Sequence, residues 1–406
     1  MSGFVLYDDR AAREFAPFAL TRPIGELRAG AELIRERWVR VLGESAGGFL
    51  SAPHLRDFVE LDAPRAITGS IPAETWVVNA RCAPALTLLA PALLPLAPEV
   101  RTILCDGVVA AVKLARMVDV ARLADGSLAL DSLGLGEGGN ERVSVQGWWL
   151  GAAWDLVGHL PAMLLSDTQA LLPASPDARG MTVLGGYAAH AEPGAKIEPM
   201  VIADTTAGPV LVRRGAHIQA FTRLVGPCVI GEESTVMGGR IASCSIGPKV
   251  KVCGEMSVTI MIGHANKGHD GFVGHSVIGR WANFGAGTIT SNLKNSYGEV
   301  TMWAAGEQRR TGLQFLGALV GDHAKTGIGT RLPTGSVLGA GANVFGTRMP
   351  PKVVPPFAWG DGEPWETFDL ARFLTVAARV MGRRGVVLGP EAAAYWAAVF
   401  ARREQP

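Results

Sequence analysis

Aliphatic residues recur every six positions in the second half of the chain, and this period constrains the fold more than any other feature. The spacing holds over Val212–Ile218–Leu224–Ile230–Val236, returns over Leu332–Leu338–Val344, and includes Phe272–Ile278–Phe284. Segments such as "IGEEST", "IGPKVK", "IGRWAN" and "VGDHAK" begin with an aliphatic residue followed by glycine. A sandwich would alternate every two residues, whereas an internal repeat of fixed length is typical of a solenoid. We predict a three-sided parallel β-helix in which the glycine permits the corner's backbone.

The repeat is interrupted once and then ends. Between about 293 and 316 the spacing is lost, which predicts a loop that projects from the prism, as binding loops of solenoids often do. After "PPKVVPPFAWG" the repeat stops, and "TFDLARFLTVAARVMGRR" and "PEAAAYWAAVFARRE" have the pattern of amphipathic helices. We expect these helices to cap the open end of the β-helix.

The first half of the chain has a different pattern. "GFVLYDD" and "TWVVNAR" are typical of strands, and "ELRAGAELIRERWVRVLG" and "AAWDLVGHLPAMLLSDTQALL" are typical of helices. Alternating strands and helices predict an α/β layer fold. The predicted domains are therefore an α/β domain over residues 1–184, a β-helix over 185–360 and a helical segment over 361–406.

Charge and cysteine usage exclude several classes of protein. Lys and Arg number 38 against 37 Asp and Glu, so no general charge attracts nucleic acid or an anionic membrane. The five cysteines form no CxxC pair, which predicts a reducing, cytoplasmic location without a disulfide framework. The most apolar run, "APALTLLAPALLPLAPEV", contains four prolines that would break a membrane-spanning helix, and no signal segment opens the chain.

Several motifs resemble one family of enzymes. Residues 246–295 resemble the acetyltransferase half of the bifunctional bacterial enzyme that makes UDP-N-acetylglucosamine, in which a nucleotidyltransferase domain precedes a left-handed β-helix. "LYDD", "LTRPIGELRAG", "NKGHDGF", "NLKNSYG", "GDHAKTGIGT" and "FAWG" are similar to an alternative bacterial branch, the UDP-N-acetylglucosamine diphosphorylase/glucosamine-1-phosphate N-acetyltransferases. The resemblance covers nearly the whole chain. It implies acetyl-CoA-dependent N-acetyl transfer to a hexosamine 1-phosphate at the β-helix and uridylyl transfer in the N-terminal domain.

The resemblance also implies site residues on the β-helix. His269 in "KGHDGFVG" takes the place of the general base, and a neutral imidazole suits that role because the attacking amine must lose a proton. A backbone N–H from "NFGAGT" would stabilise the oxyanion. The other matching positions are four for substrate and one for acetyl-CoA: Glu255, Lys267, Asn283 and Asn292, and Ala286. The family's site lies between subunits, which implies a homotrimer.

The chain departs from the family at two positions of this site. Ser257 stands where the family has a phosphate-binding lysine, and Leu293 where it has a tyrosine. Tyr297, or Arg309 and Arg310 in the predicted loop, are the candidates to replace them.

The N-terminal site departs further. Sugar-phosphate nucleotidyltransferases normally open with a glycine-rich loop and a lysine, which hold the triphosphate; here the loop is missing and Ile24 stands at the lysine position. Arg22 and Arg28 are the remaining cations and are predicted to bind phosphate, together with Asn79 and Arg81 at a strand end. Three acidic residues could hold Mg²⁺ or act as turn and cap residues: Asp8, Asp9 and Asp106.

Alternative hypotheses remain open at this stage. His269 could be a corner residue packed between coils, as we expect for His275 and His323. His264, His269 and Cys228 could bind zinc, because the two histidines have the spacing found in the γ-class carbonic anhydrases. The losses at Ser257, Leu293 and Ile24 would also fit a binding or scaffold protein without one or both activities.

Overall fold

The computed structural model describes residues 3–86, 96–97, 99–133 and 141–404. The proline-containing apolar run therefore lies largely outside the described residues. Within them, no helix is both long and apolar enough to cross a membrane. All five cysteines are free thiols.

The N-terminal domain is built on a mixed sheet, as the α/β prediction requires. Its strands in spatial order are Glu141–Val145, Val100–Cys105, Val108–Lys113, Trp76–Asn79, Phe4–Tyr7 and Ala46–Leu50. The last three are parallel to one another, and the hairpin Val100–Cys105/Val108–Lys113 continues the sheet. Shorter paired strands are Arg28–Ala29 with Glu32–Leu33, Ser70–Ile71 with Val118–Asp119, and Cys82–Pro84 with Gly147–Trp149.

Helices cover this sheet. The α-helices are Ile34–Leu42, Asp155–Gly158 and Leu160–Leu171, and the 3-10 turns are Ala12–Glu14, Ile24–Glu26, Pro53–Leu55, Val120–Leu123 and Leu130–Leu133. Helix Ile34–Leu42 begins where Glu36 accepts a hydrogen bond from the Leu33 amide (2.8 Å) and ends at Gly43, whose φ is 69°. Its Arg37 pairs with Asp167 of the next long helix, and both side chains are completely buried.

The second half is a β-solenoid of about ten turns, which confirms the repeat-based prediction. One parallel ladder contains Ala189–Ala191, Val210–Val212, Cys228–Ile230, Ser245–Ile246, Ile260–Met261, Val277–Ile278, Ala318–Val320, Ser336–Leu338 and Val353–Val354. The other, which turns a corner, contains Thr182–Leu184, Lys196–Ile197, Ile202–Asp204, His217–Ile218, Thr222–Val225, Thr235–Ala242, Lys251–Ser257, Asn266–Lys267, Phe272–Gly274, Asn283–Phe284, Lys325–Thr326, Asn343–Val344, Ala358–Gly360 and Glu366–Thr367. Ile289–Thr290 pairs with Arg331–Leu332.

The six-residue set forms the interior of the prism. Every member of the two long stretches named above is at most 2% exposed. Phe272 is the exception: its strand pairs with Glu255–Ser257, so Val273 lies beside the buried Met256 and Phe272 is only half-buried. The period therefore identified the core except at Phe272, which lies one residue before the buried Val273.

Glycine has a different role at the corners from the one predicted. The left-handed corner positions belong to Glu233, Lys249, His264, Trp281 and His323, with φ between 54° and 63°. The glycines two residues earlier, such as Gly231 and Gly279, lie so close to the next coil that a Cβ would strike its backbone. Close approach of stacked coils, and not backbone conformation, is what requires glycine there.

The predicted loop is a hairpin, Thr301–Ala304 paired with Glu307–Arg310. It leaves the prism but packs on the N-terminal domain, because Met302 is buried in the core that the two domains share. Arg309 Nη1 lies 3.0 Å from Glu14 Oε2 of that domain. Arg310 pairs with Glu299 beside the hairpin.

The C-terminal helices, Leu370–Gly382 and Pro390–Ala401, cover the end of the prism and also join the domains. Phe373 packs edge-on against Phe357 of the last coil (5.0 Å between ring centroids), and Trp396 packs against His323 (5.1 Å). The Tyr395 hydroxyl donates to the Thr21 carbonyl of the N-terminal domain (2.6 Å).

Buried charges connect the two domains at a site we call the domain joint (Arg22, Glu60, Arg280, Trp281 and Asp322). Arg22 lies 2.8 Å from Glu60 and 2.8 Å from Asp322, and Arg280 lies 3.2 Å from Glu60. Trp281 Nε1 donates to Glu60 Oε1 (3.1 Å). Burial alone would raise the pKa of Glu60, but Arg22 and Arg280 lower it to about 2. Arg22 and Asp322 are each 1% exposed and Glu60 is 12% exposed, so the joint is largely buried.

Candidate functional site

The first candidate site is an exposed corner of the prism, the His269 corner (His269, Asp270 and Gly271). His269 and Asp270 are exposed, and the His269 imidazole makes no hydrogen bond within the described part of the chain. Gly271 has φ of 135°, and a Cβ on it would strike the Thr288 carbonyl of the next coil. The imidazole is thus presented to solvent on a backbone that the adjacent coil constrains.

Lys267 supports this corner from inside the prism. Its side chain occupies an interior position, in register with Val252, and is 2% exposed. The Nζ atom donates to the carbonyls of Cys253 (2.7 Å) and His269 (3.0 Å). Burial lowers the pKa of Lys267. The residue predicted to bind substrate therefore faces inward and holds the His269 backbone.

The glycine-rich segment after Asn283 lies directly above the His269 corner. The Gly287 amide donates to the Asp270 carbonyl (3.0 Å), which stacks the two corners. The Ala286 amide has no hydrogen-bond partner within the described residues, although its carbonyl accepts from Gly329 (2.7 Å). Asn283 lies on the wall that leads to this corner and accepts from Asn266 Nδ2 (2.8 Å). A free N–H therefore lies one coil from the imidazole.

Asn292 and Glu255 lie on the wall that follows the same corner. Glu255 is exposed, pairs in register with Phe272 and lies 3.6 Å from Arg240. Asn292 Nδ2 lies 2.8 Å from His275 Nδ1, so this amide is engaged by a second histidine. Burial lowers the pKa of His275 to about 4, and its ring stacks on Phe315 at 5.3 Å. The structure thus places Glu255 and Asn292 on one wall and Asn283 on the other, with the His269 corner between them.

The second candidate site is the carboxyl edge of the N-terminal sheet (Asp8, Asp9, Ser51, Asn79 and Arg81). Arg81 contacts Asp9 through Nη2 (2.7 Å) and Nε (2.8 and 3.0 Å), and Asn79 Nδ2 donates to Asp9 Oδ2 (2.9 Å). Burial opposes ionisation of Asp9, but the hydrogen bonds from Arg81 and Asn79 lower its pKa. Arg81 and Asp9 are 21% and 17% exposed, so this pair can be reached by a solute.

Asp8 differs from Asp9 because its side chain is buried. It is 2% exposed and accepts from the Ile24 amide (3.1 Å) and the Ser51 hydroxyl. Burial raises its pKa to about 7. Asp106 lies in the exposed turn of the hairpin that continues the sheet.

These carboxylates do not form a ready magnesium site. Asp9 is neutralised by Arg81, and Asp8 is enclosed by uncharged donors. Among the described residues, no group of three or more His, Cys, Asp or Glu is placed to hold a metal ion. We therefore assign Asp8, Asp9 and Asp106 no metal-ligand role.

The structure separates Arg22 and Arg28 from the sheet edge. Arg22 forms ion pairs with the two carboxylates of the domain joint. Arg28 is buried at 7% exposure, donates to the Ala31 carbonyl, and lines a cavity to which none of the five sheet-edge residues contributes. Of the predicted phosphate-binding residues, only Asn79 and Arg81 lie together.

The residues of the zinc hypothesis are not assembled either. Cys228 is fully buried in the prism interior, and burial raises its pKa to about 12. His264 is at a different corner, 4.4 Å from the Trp281 ring and 3.5 Å from Arg280. Burial and the charge of Arg280 lower the pKa of His264 to about 4.

Sequence reasoning missed two residues of the sheet edge. Ser51 follows strand Ala46–Leu50, which contains two glycines and carries little strand signal. The Trp149 ring lies 5.6 Å from the Arg81 guanidinium, and its Nε1 donates to the Cys105 carbonyl (2.9 Å). The "GWW" at residues 147–149 is the signal that could have pointed to Trp149.

The fold is a nucleotidyltransferase-like domain joined to a β-solenoid. Residues 4–173 match the family model described as "Sugar nucleotidyl transferase". This match covers the N-terminal domain and includes the whole sheet edge.

The relatives that the chain matches are named as bifunctional proteins. The chain is 33% identical over 97 residues to a bifunctional sugar-1-phosphate nucleotidylyltransferase/acetyltransferase of Sulfurisphaera tokodaii, which covers 24% of each protein. It is 35% identical over 92 residues to the bifunctional protein GlmU of Methanococcus vannielii, and 34% to that of Methanococcus maripaludis, covering 21% of this chain and 22% of each relative. The chain thus matches about a quarter of the length of these relatives.

Proposed function

We propose that the chain is a bifunctional sugar-nucleotide enzyme, which transfers acetyl from acetyl-CoA to a hexosamine 1-phosphate at the solenoid and a uridylyl group to the sugar phosphate in the N-terminal domain. The observation that carries the proposal is the His269 corner: an exposed imidazole one coil from a free backbone N–H. The names of the relatives and the family match of residues 4–173 support both halves.

In acetyl transfer, the substrate amine attacks the thioester carbonyl of acetyl-CoA, and the C–S bond breaks as the tetrahedral intermediate collapses. His269 accepts the proton that the amine loses, and the Ala286 N–H donates to the carbonyl oxygen as it gains negative charge. Asn283, Asn292 and Glu255 on the flanking walls hold the sugar. Lys267 fixes the backbone of His269 from within the prism.

In nucleotidyl transfer, a phosphate oxygen of the sugar phosphate attacks the α-phosphorus of UTP, and pyrophosphate leaves. Arg81 is the accessible cation of the sheet edge, and a guanidinium can exchange the Asp9 carboxylate for a phosphate without losing a charged partner. Asn79 orients Asp9 and Arg81. Mg²⁺ would enter bound to the nucleotide.

The acetyl-transfer half is tested with acetyl-CoA and a panel of hexosamine 1-phosphates. His269→Ala should lower the rate by about 10²- to 10⁴-fold, because a general base contributes that much, while melting stays unchanged since the side chain is exposed. The control is His217→Ala, a histidine on the same prism that pairs with Glu198 (2.6 Å) several coils away. A His269→Ala protein with full activity would refute the assignment and favour a scaffold.

The nucleotidyl half is tested with UTP and N-acetylhexosamine 1-phosphates. Arg81→Ala should weaken UTP binding by about 10- to 100-fold, the value of a charged hydrogen bond. Arg122→Ala is the matched control, because Arg122 is exposed on a 3-10 turn of the same domain. Calorimetry that detects no UTP binding to the parent protein would remove the nucleotidyl half of the proposal.

We also propose a cytoplasmic homotrimer. The free cysteines fit a reducing compartment, and exposed apolar side chains at the solenoid corners, such as Phe221 (76%) and Ile328 (82%), fit burial between subunits. In a trimer, a neighbouring prism would complete the open His269 corner. Sedimentation of a stable monomer at micromolar concentration would contradict this arrangement.

A further inference from the structure

A cavity of about 490 Å³ lies between the two domains, apart from both candidate sites. One side is helix Ile34–Leu42 with the short hairpin that contains Arg28, and the other side is the solenoid around Val229 and Glu232. The hairpin is fixed in place because the Ser245 hydroxyl of the solenoid donates to the Gly30 carbonyl. The cavity is thus a feature of the interface between the domains and is partly open to solvent.

Charged side chains dominate the lining. Within the described residues these are four arginines and three glutamates: Arg28, Arg35, Arg40 and Arg213, and Glu32, Glu36 and Glu232. Three of the arginines have carboxylate partners. Arg40 pairs with Glu32, Arg213 lies 3.0 Å from Glu232, and Arg35 lies 2.6 Å from Glu26 behind the wall.

Arg28 is the exception. It is only 7% exposed, it forms no ion pair with a described carboxylate, and its Nε has no acceptor among the described residues. Its Nη1 atom donates to the Ala31 carbonyl. A buried guanidinium with a donor left unpaired is costly, and an anion in the cavity would remove that cost.

We propose that this cavity binds a small molecule that carries one oxyanion, a phosphate or a carboxylate, together with hydroxyl or amino groups. The oxyanion would accept from Arg28 and take the place of its missing carboxylate partner. Hydroxyl or amino groups would donate to the glutamates, whose oxygens retain free lone pairs beside their present partners. The volume suits a molecule of the size of a monosaccharide phosphate or an amino acid better than a bare ion.

Calorimetry on the full chain tests this with three probes: inorganic phosphate, glucose 6-phosphate and L-glutamate. At least one probe should bind the parent protein, and the pattern separates a phosphate from a carboxylate ligand. Arg28→Gln should weaken that binding by about 10- to 100-fold, as expected for loss of a charged hydrogen bond. Val39→Trp fills the cavity and keeps Arg28, so it should abolish binding even if Arg28→Gln does not fold.

Two results would overturn the proposal. One is the absence of heat with all three probes. The other is binding that survives Val39→Trp and disappears in Arg81→Ala, which would assign the probe to the sheet edge. Because the readout is binding at a separate cavity, it does not depend on either proposed activity.

Discussion

At the scale of single residues, Asp8 shows how enclosure changes a side chain's chemistry. Its carboxyl group is surrounded by uncharged donors, and burial raises its pKa to about 7 from 3.8. The folded protein therefore binds this proton more tightly than the unfolded chain does. The stability that protonated Asp8 contributes is fully present below about pH 4, near the ordinary pKa of the group. It is lost as the pH rises through about 7, the pKa in the folded protein.

Asp8→Asn should remove this pH dependence, because an amide occupies the same space without a charge to desolvate. Relative to the parent, the variant should gain up to about 4 kcal/mol of stability between pH 4 and pH 8. Denaturant unfolding at both pH values measures the difference. Asp131→Asn, at an exposed position, should show no such change. If the free energies of unfolding of Asp8→Asn and the parent differ by the same amount at both pH values, burial does not raise the pKa of Asp8.

Some residues of the two candidate sites could be predicted from the sequence, and others could not. The family resemblance implies His269, Asn283 and Ala286 as site residues, and these three lie on consecutive coils. Arg22 and Arg28 were predicted to be alike, because nothing local distinguishes them. Arg22 meets a carboxylate 300 residues away, whereas Arg28 meets none in the described structure. The partner of a cation depends on tertiary contacts that no short pattern contains.

At the scale of the repeating coil, Lys267 is the member of the interior ladder that departs from the pattern. Its neighbours in register on the adjacent coils are Val252 and Phe284. Lys267 therefore places an ammonium group where those coils place apolar side chains. Lys267 is accommodated inside the prism because two corner carbonyls accept hydrogen bonds from its ammonium group. The element's regularity is therefore broken at the turn that presents His269.

Lys267→Met should keep the prism folded, since methionine has a similar shape and suits an apolar interior. The carbonyls of Cys253 and His269 would lose their donor, at a cost of about 1 to 3 kcal/mol. The His269 corner should become less rigid, so the rate of acetyl transfer should fall proportionally more than the melting temperature does. Lys251→Met is the matched control, because Lys251 is one coil earlier on the outer surface and should change stability by less than about 0.5 kcal/mol. Equal losses in both variants would contradict a specific role for Lys267.

The period of six identified the solenoid because each coil repeats the same stacking contacts. It misassigned Phe272, because only five residues separate the buried Val273 and Ile278, whereas Lys267 and Val273 are six apart, and it assigned the wrong reason to the glycines. The hairpin Thr301–Ala304/Glu307–Arg310 was expected only as a loop. Its strands are stabilised by contact with the other domain, and such contacts leave no local period.

At the scale of the whole molecule, the domain joint connects three parts of the chain. Arg22 and Glu60 come from the N-terminal domain, Asp322 comes from the solenoid, and Tyr395 of the C-terminal helix contacts the same segment. The interdomain cavity lies at this interface too. The relative position of the two domains therefore depends on side chains that carry no catalytic role.

Asp322→Asn tests that dependence, since it removes the solenoid's carboxylate from Arg22 and leaves Glu60 to balance both Arg22 and Arg280. Two buried guanidinium groups would then share one carboxylate, so the free energy of unfolding should fall by about 3 to 5 kcal/mol. Calorimetric unfolding should also show the domains separating into distinct transitions, as their coupling is lost. The control is Glu391→Gln, which removes an exposed pair with Arg65 (2.8 Å) across the same interface and should have little effect. If the two variants unfold alike, the domains are held by apolar packing and the buried charges are not what fixes them.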